Sequence, residues 1–322
     1  MRRRHLVWLP IAAVLSTAPA CGDVSGEATS SGRNLTLRLL TGPPGGGFLP
    51  LGQRMAVEFQ RLAPGPRIDT RSSEGAIANV LAIQHGDTDL GFTFADVAYM
   101  SYSGQLEGTP ALDQLRGIAL LQLTPITFVA RADVPMKSPA DLRGRVVAVG
   151  PPGSGTALTA ALILHAFGLD APAVRVETLG FQEAGSRLIN GSIDAMFDNA
   201  INQSDSIARA IAAGARLVPI EGPAVDALRR DYPFFKITSI PASLYPNDGK
   251  PTHTIGVDGL LIGRKNLDDA IVYQFTEHLF RVLPQVLGDE SRRFINLEQA
   301  SATPIPLHNG AARYYREREL LR

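Results

Sequence analysis

Val147-Ala148-Val149-Gly150-Pro151-Pro152-Gly153-Ser154-Gly155-Thr156 is the stretch on which the reading of this chain turns. The run Arg145-Val146-Val147-Ala148-Val149 is rich in β-branched residues and predicts a buried strand. It breaks at Gly150-Pro151-Pro152, and an apolar-periodic segment from Ala157 to Phe167 predicts a helix. Ser154 or Thr156 can cap that helix, and Gly168 can end it. A small-residue turn between strand and helix leaves backbone N–H groups facing outward at the helix's positive end, which makes an anion cradle. No Lys follows the glycines, so this is not the phosphate loop of nucleotide enzymes, and a carboxylate is the simpler guest. A tight turn that binds nothing is the competing reading.

The same strand, glycine loop and helix open the folded part of the chain. Leu35 to Thr41 predicts a strand, Gly42-Pro43-Pro44-Gly45-Gly46-Gly47 a second glycine-rich turn, and Leu51, Met55, Phe59 and Leu62 recur at helical spacing. Strands are expected over 67–72, 89–94, 174–179, 194–197 and 216–220, with helices over 76–84, 181–190 and 206–213 between them. Ser138-Pro139 reads as a helix start. Two apolar helices, about 269–287 and 311–321, finish the chain. Strands alternating with helices imply an α/β fold of parallel sheets covered on both faces. Ligands of such sheets bind at the carboxyl ends of strands, where both glycine loops lie. Passages between two lobes are expected at Thr124-Pro125 and within Thr254 to Ile262, giving one lobe of residues 34–124 plus 255–322 and another of residues 125–254. Two cradles facing across a cleft would make a closing clamp.

The first residues look like a targeting signal. Arg2-Arg3-Arg4 precedes an apolar stretch from Leu6 to Thr17, and Ala18-Pro19-Ala20 supplies small residues for cleavage, so residues 1–20 are expected to be a signal peptide. Cys21, the only cysteine, falls just after that cut and suits lipid attachment; plain secretion is the alternative. With a single cysteine there is no internal disulfide. Residues 21–33 are rich in Gly, Ser and Thr and read as a flexible tether. The mature chain is thus expected to be periplasmic or otherwise extracytoplasmic, touching the membrane only through a lipid on Cys21. The chain has 31 Lys and Arg against 31 Asp and Glu, and loss of the three leading arginines leaves a slightly acidic balance that argues against a nucleic-acid partner.

Catalytic motifs are absent from the pattern. His5, His85, His165, His253, His278 and His308 form no zinc-binding signature, so neither metal nor cofactor is expected. Ser154 lacks the G-x-S-x-G spacing of a nucleophile elbow. The polar residues that remain suit binding. Ser72, Ser73 and Glu74 lie between a strand and a helix, where they either face a cleft or cap the helix. Asp96, at a strand end, could pair with an ammonium or cap the next helix. Asn199 and Asn202, in the polar run Asp198-Asn199-Ala200-Ile201-Asn202-Gln203, can each donate and accept, as a small polar solute requires, or belong to a solvated loop. Phe48 and Phe181 could be apolar walls or core.

These segments together resemble the TAXI-type solute receptors of tripartite ATP-independent periplasmic (TRAP) transporters. The matching stretches are Thr41-Gly-Pro-Pro-Gly-Gly-Gly-Phe-Leu-Pro-Leu-Gly52, Asp89-Leu-Gly-Phe with Asp96-Val-Ala-Tyr99, and Ser138-Pro-Ala-Asp-Leu-Arg-Gly-Arg-Val146. Gly150-Pro-Pro-Gly-Ser-Gly-Thr156, Gly191-Ser-Ile-Asp-Ala-Met-Phe197 and Pro306-Leu-His-Asn-Gly-Ala-Ala-Arg-Tyr-Tyr-Arg316 complete the set, in the family's order. The resemblance implies a type II periplasmic-binding-protein fold, two α/β lobes joined by a hinge with the ligand between them. It implies a monomeric, non-enzymatic receptor that hands a glutamate-like amino acid or organic acid, such as a dicarboxylate, to an ion-driven membrane permease. A sensory receptor signalling to a membrane kinase, or an enzyme on the same two-lobed fold, are the alternatives.

On that reading, a solute carboxylate meets Ser154, Gly155 and Thr156. Ser73, Asp96, Asn199 and Asn202 read the rest, with Thr41, Gly47, Phe48, Glu74 and Phe181 also against the ligand. Three pocket segments depart from the family's pattern. The first loop reads Gly46-Gly47-Phe48-Leu49-Pro50 where Gly-Gly-Thr-Tyr-Tyr-Pro is usual, the second Ser72-Ser73-Glu74-Gly75-Ala76, and the third Asp198-Asn199-Ala200-Ile201-Asn202-Gln203-Ser204 where an apolar Gly-x-Pro-Thr-Pro loop is usual. A Glu74 facing the cleft would disfavour a dianion and favour a zwitterion or cation.

Overall fold

The computed structural model describes residues 35–62, 65–199, 204–245, 249–286 and 297–320. The expected signal peptide, the tether, Cys21 and Asn202 lie outside these described residues.

The chain begins with β1 (Thr36–Leu40), α1 (Phe48–Arg61), β2 (Arg67–Arg71), α2 (Ala76–His85), β3 (Leu90–Phe94) and α3 (Ala95–Ser103). β4 (Leu115–Pro125) and β5 (Thr127–Ala130) follow almost without a break. Next come β6 (Val146–Ala148), α4 (Gly155–Ala166), β7 (Arg175–Glu177), α5 (Phe181–Asn190), β8 (Ala195–Asp198), α6 (Asp205–Ala212), β9 (Arg216–Leu217) and α7 (Pro223–Asp231). β10 (Lys236–Ile240), β11 (Thr252–Arg264), α8 (Asp269–Val286) and α9 (Asn309–Glu317) close the described chain.

Two sheets result. The first runs β10-β11-β3-β1-β2, with β4 also paired to β11; the second runs β7-β6-β8-β5-β9. In each, three parallel strands stand in the order second, first, third, and one antiparallel strand flanks the third: β11 beside β3, and β5 beside β8. Both flanking strands adjoin the junction between the sheets. There Ile126 N–H donates to Ile255 O (2.9 Å), and the Thr254 hydroxyl donates to Ile126 O (2.7 Å). This is a mixed α/β fold with two lobes, as the sequence pattern implied.

Each lobe forms for local reasons. On α1, Phe48, Leu51, Met55 and Phe59 make one buried stripe at helical spacing. Phe48 carries that stripe to the sheet, its ring centroid 5.2 Å from Phe92 and 4.8 Å from Phe94. β3 is buried along its whole length because it has neighbours on both edges and helices on its faces. Ser138 starts the short helical turn expected of it, its hydroxyl accepting from Ala140 N–H and its own N–H bonding Asp141. The sequence pattern marks no bounds for three elements: α3, which starts where β3 stops; α7; and β10. β10 falls within 125–254 yet pairs with the first sheet.

One buried side chain fixes the end of β1, where the first glycine loop leaves. Asn79 on α2, fully enclosed, donates its amide N–H groups to Thr41 O and Phe92 O, both at 2.7 Å. It bridges the residue just past the end of β1 to the middle of β3. Asn79→Ala should lower the unfolding free energy by about 2–3 kcal/mol, because buried carbonyls then lack a donor. Urea denaturation checks this; a loss under about 0.5 kcal/mol would deny the bridge its role.

Candidate functional site

The turn after β6 has the shape its residues dictate. Gly150 and Gly153 take φ of +90° and +75°, a region that side chains avoid. Ser154 caps α4, its Oγ accepting from Ala157 N–H (3.2 Å) and donating to Pro151 O (2.7 Å). That cap serves the third residue of the helix. Gly155 and Thr156, the first two, have N–H groups with no acceptor in their own helix and none among the described residues. They stand at the helix's positive end and border a cavity of about 30 Å³, room for roughly two water-sized groups.

Loops of both lobes wall the cavity. The first lobe contributes Gly42, Pro43, Gly46, Gly47 and Phe48 from the loop after β1, Gly75 and Ala76 at the start of α2, and Phe94 at the end of β3. The second contributes Ser154, Gly155 and Thr156, Phe181 at the start of α5, and Asp198 and Asn199 at the end of β8. The walls touch at one corner. Ile77 N–H donates to Gly153 O (3.0 Å), and a Cβ on Gly75 would lie 3.0 Å from Ser154 Cα. A Cβ on Gly155 would lie 2.5 Å from the Phe94 ring, so only glycine lets α4 come this close.

Of the residues singled out from the sequence, Gly47, Phe48, Ser154, Gly155, Thr156, Phe181 and Asn199 stand together around this cavity. Four do not line it. Thr41 spends its hydroxyl on Arg71 O (2.9 Å) within the first lobe. The Ser73 hydroxyl accepts from Gly75 N–H (3.2 Å), the cap-like alternative. Glu74 is exposed, beside Gly153. Asp96 is wholly buried at the start of α3, accepting from Val97 N–H (2.8 Å) and from the Thr159 hydroxyl (2.7 Å) across the lobe boundary. Thr159 in turn accepts from Asn199 Nδ2 (3.0 Å), so Asp96 reaches the cavity only through two other side chains. Burial outweighs these hydrogen bonds and pushes the Asp96 carboxyl up to about 6.

Sequence reading passed over Asp198. It is 1 % exposed, lines the cavity, and its Oδ2 has no hydrogen-bond partner among the described residues. Asn199 Oδ1 is in the same position. Burial pushes the Asp198 carboxyl up to about 7, against hydrogen bonds from Ser204 and the Asn199 backbone. The only signal was the polar run that begins there. Among the described residues no histidine, cysteine, lysine or arginine lines the cavity, and no cluster of His, Cys, Asp and Glu could hold a metal ion. His308 instead caps α9 through Nδ1, and His278 packs its edge on Phe59. Among the described residues no helix is long and apolar enough to cross a membrane.

The buried carboxyl gives the fold a pH signature. From about pH 4, where an unfolded Asp ionises, to about pH 7, the folded chain keeps a proton on Asp198 that the unfolded chain has released. Stability from this group therefore falls as pH rises through that window and is level above it. The stability of Asp198→Asn relative to the unmutated chain should climb from pH 4.5 to about 7 and then flatten, in urea midpoints taken across pH. A difference that is constant with pH would contradict the raised carboxyl.

Solved structures of low sequence identity share this architecture. MatC from Rhodopseudomonas palustris with bound malate is 17% identical, with a TM-score of 0.56 over 89% of this chain and 99% of that one. The periplasmic binding protein BugD is 13% identical, with a TM-score of 0.55 over 89% and 93% of the two chains. At these identities the likeness is one of fold. The sequence itself gives a more specific placement: residues 39–318 match the NMT1-like family, and the chain belongs to it.

Proposed function

We propose that this chain is an extracytoplasmic solute-binding receptor that captures a small carboxylate-bearing solute between its lobes and delivers it to a membrane permease. The observation that carries this reading is the start of α4. Two backbone donors with no acceptor among the described residues, at a helix's positive end, open onto a cavity enclosed by loops from both lobes. A solute carboxylate would accept from Gly155 N–H, Thr156 N–H and the Thr156 hydroxyl, each charge-assisted bond contributing about 1.5–3 kcal/mol. The fold shared with the periplasmic binding protein BugD supports the class, and MatC, of similar fold, was solved with bound malate, an organic acid. Residues 34–124 with 255–322, joined by β10, and the remainder of residues 125–254 would be the two closing bodies. Cleavage after Ala20 and lipid on Cys21 would tether a monomer to the membrane, and the TAXI-like segments favour a TRAP permease as the recipient.

Thr156→Val tests the cradle with little risk to the fold. The Thr156 methyl lies toward Gly150, and valine keeps that methyl while removing the hydroxyl. A thermal-shift screen of amino and organic acids, followed by calorimetry on the hits, should show affinity lower by about tenfold in Thr156→Val, with an unchanged melting temperature in the absence of solute. Equal affinity in the two proteins would move the solute elsewhere.

A further inference from the structure

We propose that Asp198 and Asn199 read an ammonium group on the solute, so that the site takes an α-amino acid or another small zwitterion in preference to a dicarboxylate. This rests on the receptor reading above and specifies its solute. Two consecutive residues at the end of β8 carry an unmet acceptor, Asp198 Oδ2 and Asn199 Oδ1, each buried and without a hydrogen-bond partner among the described residues. Both residues line the cavity that Gly155 and Thr156 border. The lining thus combines residues with free backbone donors at the start of α4 and residues with unmet side-chain acceptors at the end of β8.

Donor count identifies the guest at these acceptors. A hydroxyl brings one proton and satisfies one acceptor, whereas an ammonium brings three N–H donors and can satisfy both. Charge points the same way. The acids in or near the cavity are Asp198 in its wall, Glu74 beside Gly153 and Asp96 behind Thr159. No described Lys, Arg or His lines it. A second solute carboxylate would meet an acceptor-rich wall that offers it no cation. A zwitterion leaves each end matched, carboxylate on amides and ammonium on carboxylate.

Matched pairs of solutes at pH 8 test this: L-alanine against propionate, L-aspartate against succinate, L-glutamate against glutarate, and the remaining common amino acids screened by thermal shift. Calorimetry should show at least one amino acid bound tenfold or more tightly than the same acid without its amine, a gap of about 1.4 kcal/mol. Asp198→Asn, which keeps the shape and removes the charge, should weaken that amino acid at least tenfold and narrow the gap to its amine-free partner. Its melting temperature without solute, equal to or above that of the unmutated chain, would show that it folds. Amine-free acids that bind as well as their amino counterparts, or an amino acid indifferent to Asp198→Asn, would overturn the inference. If those acids still respond to Thr156→Val, the receptor reading survives. Failure of every carboxylate to bind would overturn both.

Discussion

The site depends on the close approach of α4's first turn to the first turn of α2. Two helix N-termini carry partial positive charge, and bringing them together is unfavourable unless negative groups stand between or beside them. Here Gly153 O, in the loop that leads into α4, accepts from Ile77 N–H at the start of α2. One lobe's loop thus satisfies a free donor of the other lobe's helix, while α4's own first donors stay available. Asp96 sits in the first turn of α3, and Glu74 just before α2. The cluster of acids without a basic partner therefore has a structural counterpart in helix ends. The two glycines at the corner, Gly75 and Gly155, permit the approach, because a side chain at either would meet Ser154 or the Phe94 ring.

Two polar contacts that join the lobes at this face lead to the site. Ile77–Gly153 is a backbone bond, and Asp96–Thr159 a side-chain bond that continues to Asn199 on the cavity wall. The Thr159 hydroxyl has one proton and two acceptors within reach, Asp96 Oδ2 and Gly155 O at 2.9 Å. Whichever it serves, its lone pair holds the Asn199 amide, which leaves Asn199 Oδ1 directed away from that network. Separation of the lobes about the strands near Ile126 and Ile255 would break the first two contacts and withdraw Phe94 from Gly155. Movement of the lobes, if they close on a solute as proposed, would draw on the same residues that shape the site.

The parts legible in the sequence are those with local causes. The strand, glycine turn and helix from residue 145 follow from β-branching, from residues tolerant of positive φ, and from a serine cap, all within some twenty positions of one another. The helix expected over 181–190 is observed as Phe181–Asn190. Other features have no local cause. α3 carries alanines, serines and aromatics without a clear stripe, and it is a helix because it packs between α2, α4 and β11. β10 is a strand because β11 offers it an edge. Asp96 meets Thr159 at a separation of 63 positions, which no spacing rule reveals. Asp198 was hidden for a different reason. A polar run after a strand reads equally well as a solvated loop, and only burial distinguishes an acid in a wall from one in water.

That burial has a thermodynamic consequence for recognition. An acceptor enclosed without a partner lowers the stability of the folded chain, and a carboxyl held near pH 7 shows that its charge is poorly accommodated. A guest that supplies donors to Asp198 and Asn199 would return that stability on binding, in addition to what its carboxylate gains at α4. A guest without them leaves both acceptors unmet and excludes the water that would otherwise serve them. The discrimination then comes less from attraction to the right solute than from the penalty on the wrong one, and polar sites achieve larger ratios in this way than apolar pockets can. A receptor with a small cavity would have little area on which to build selectivity, and unmet acceptors together with free amides would provide it without additional surface.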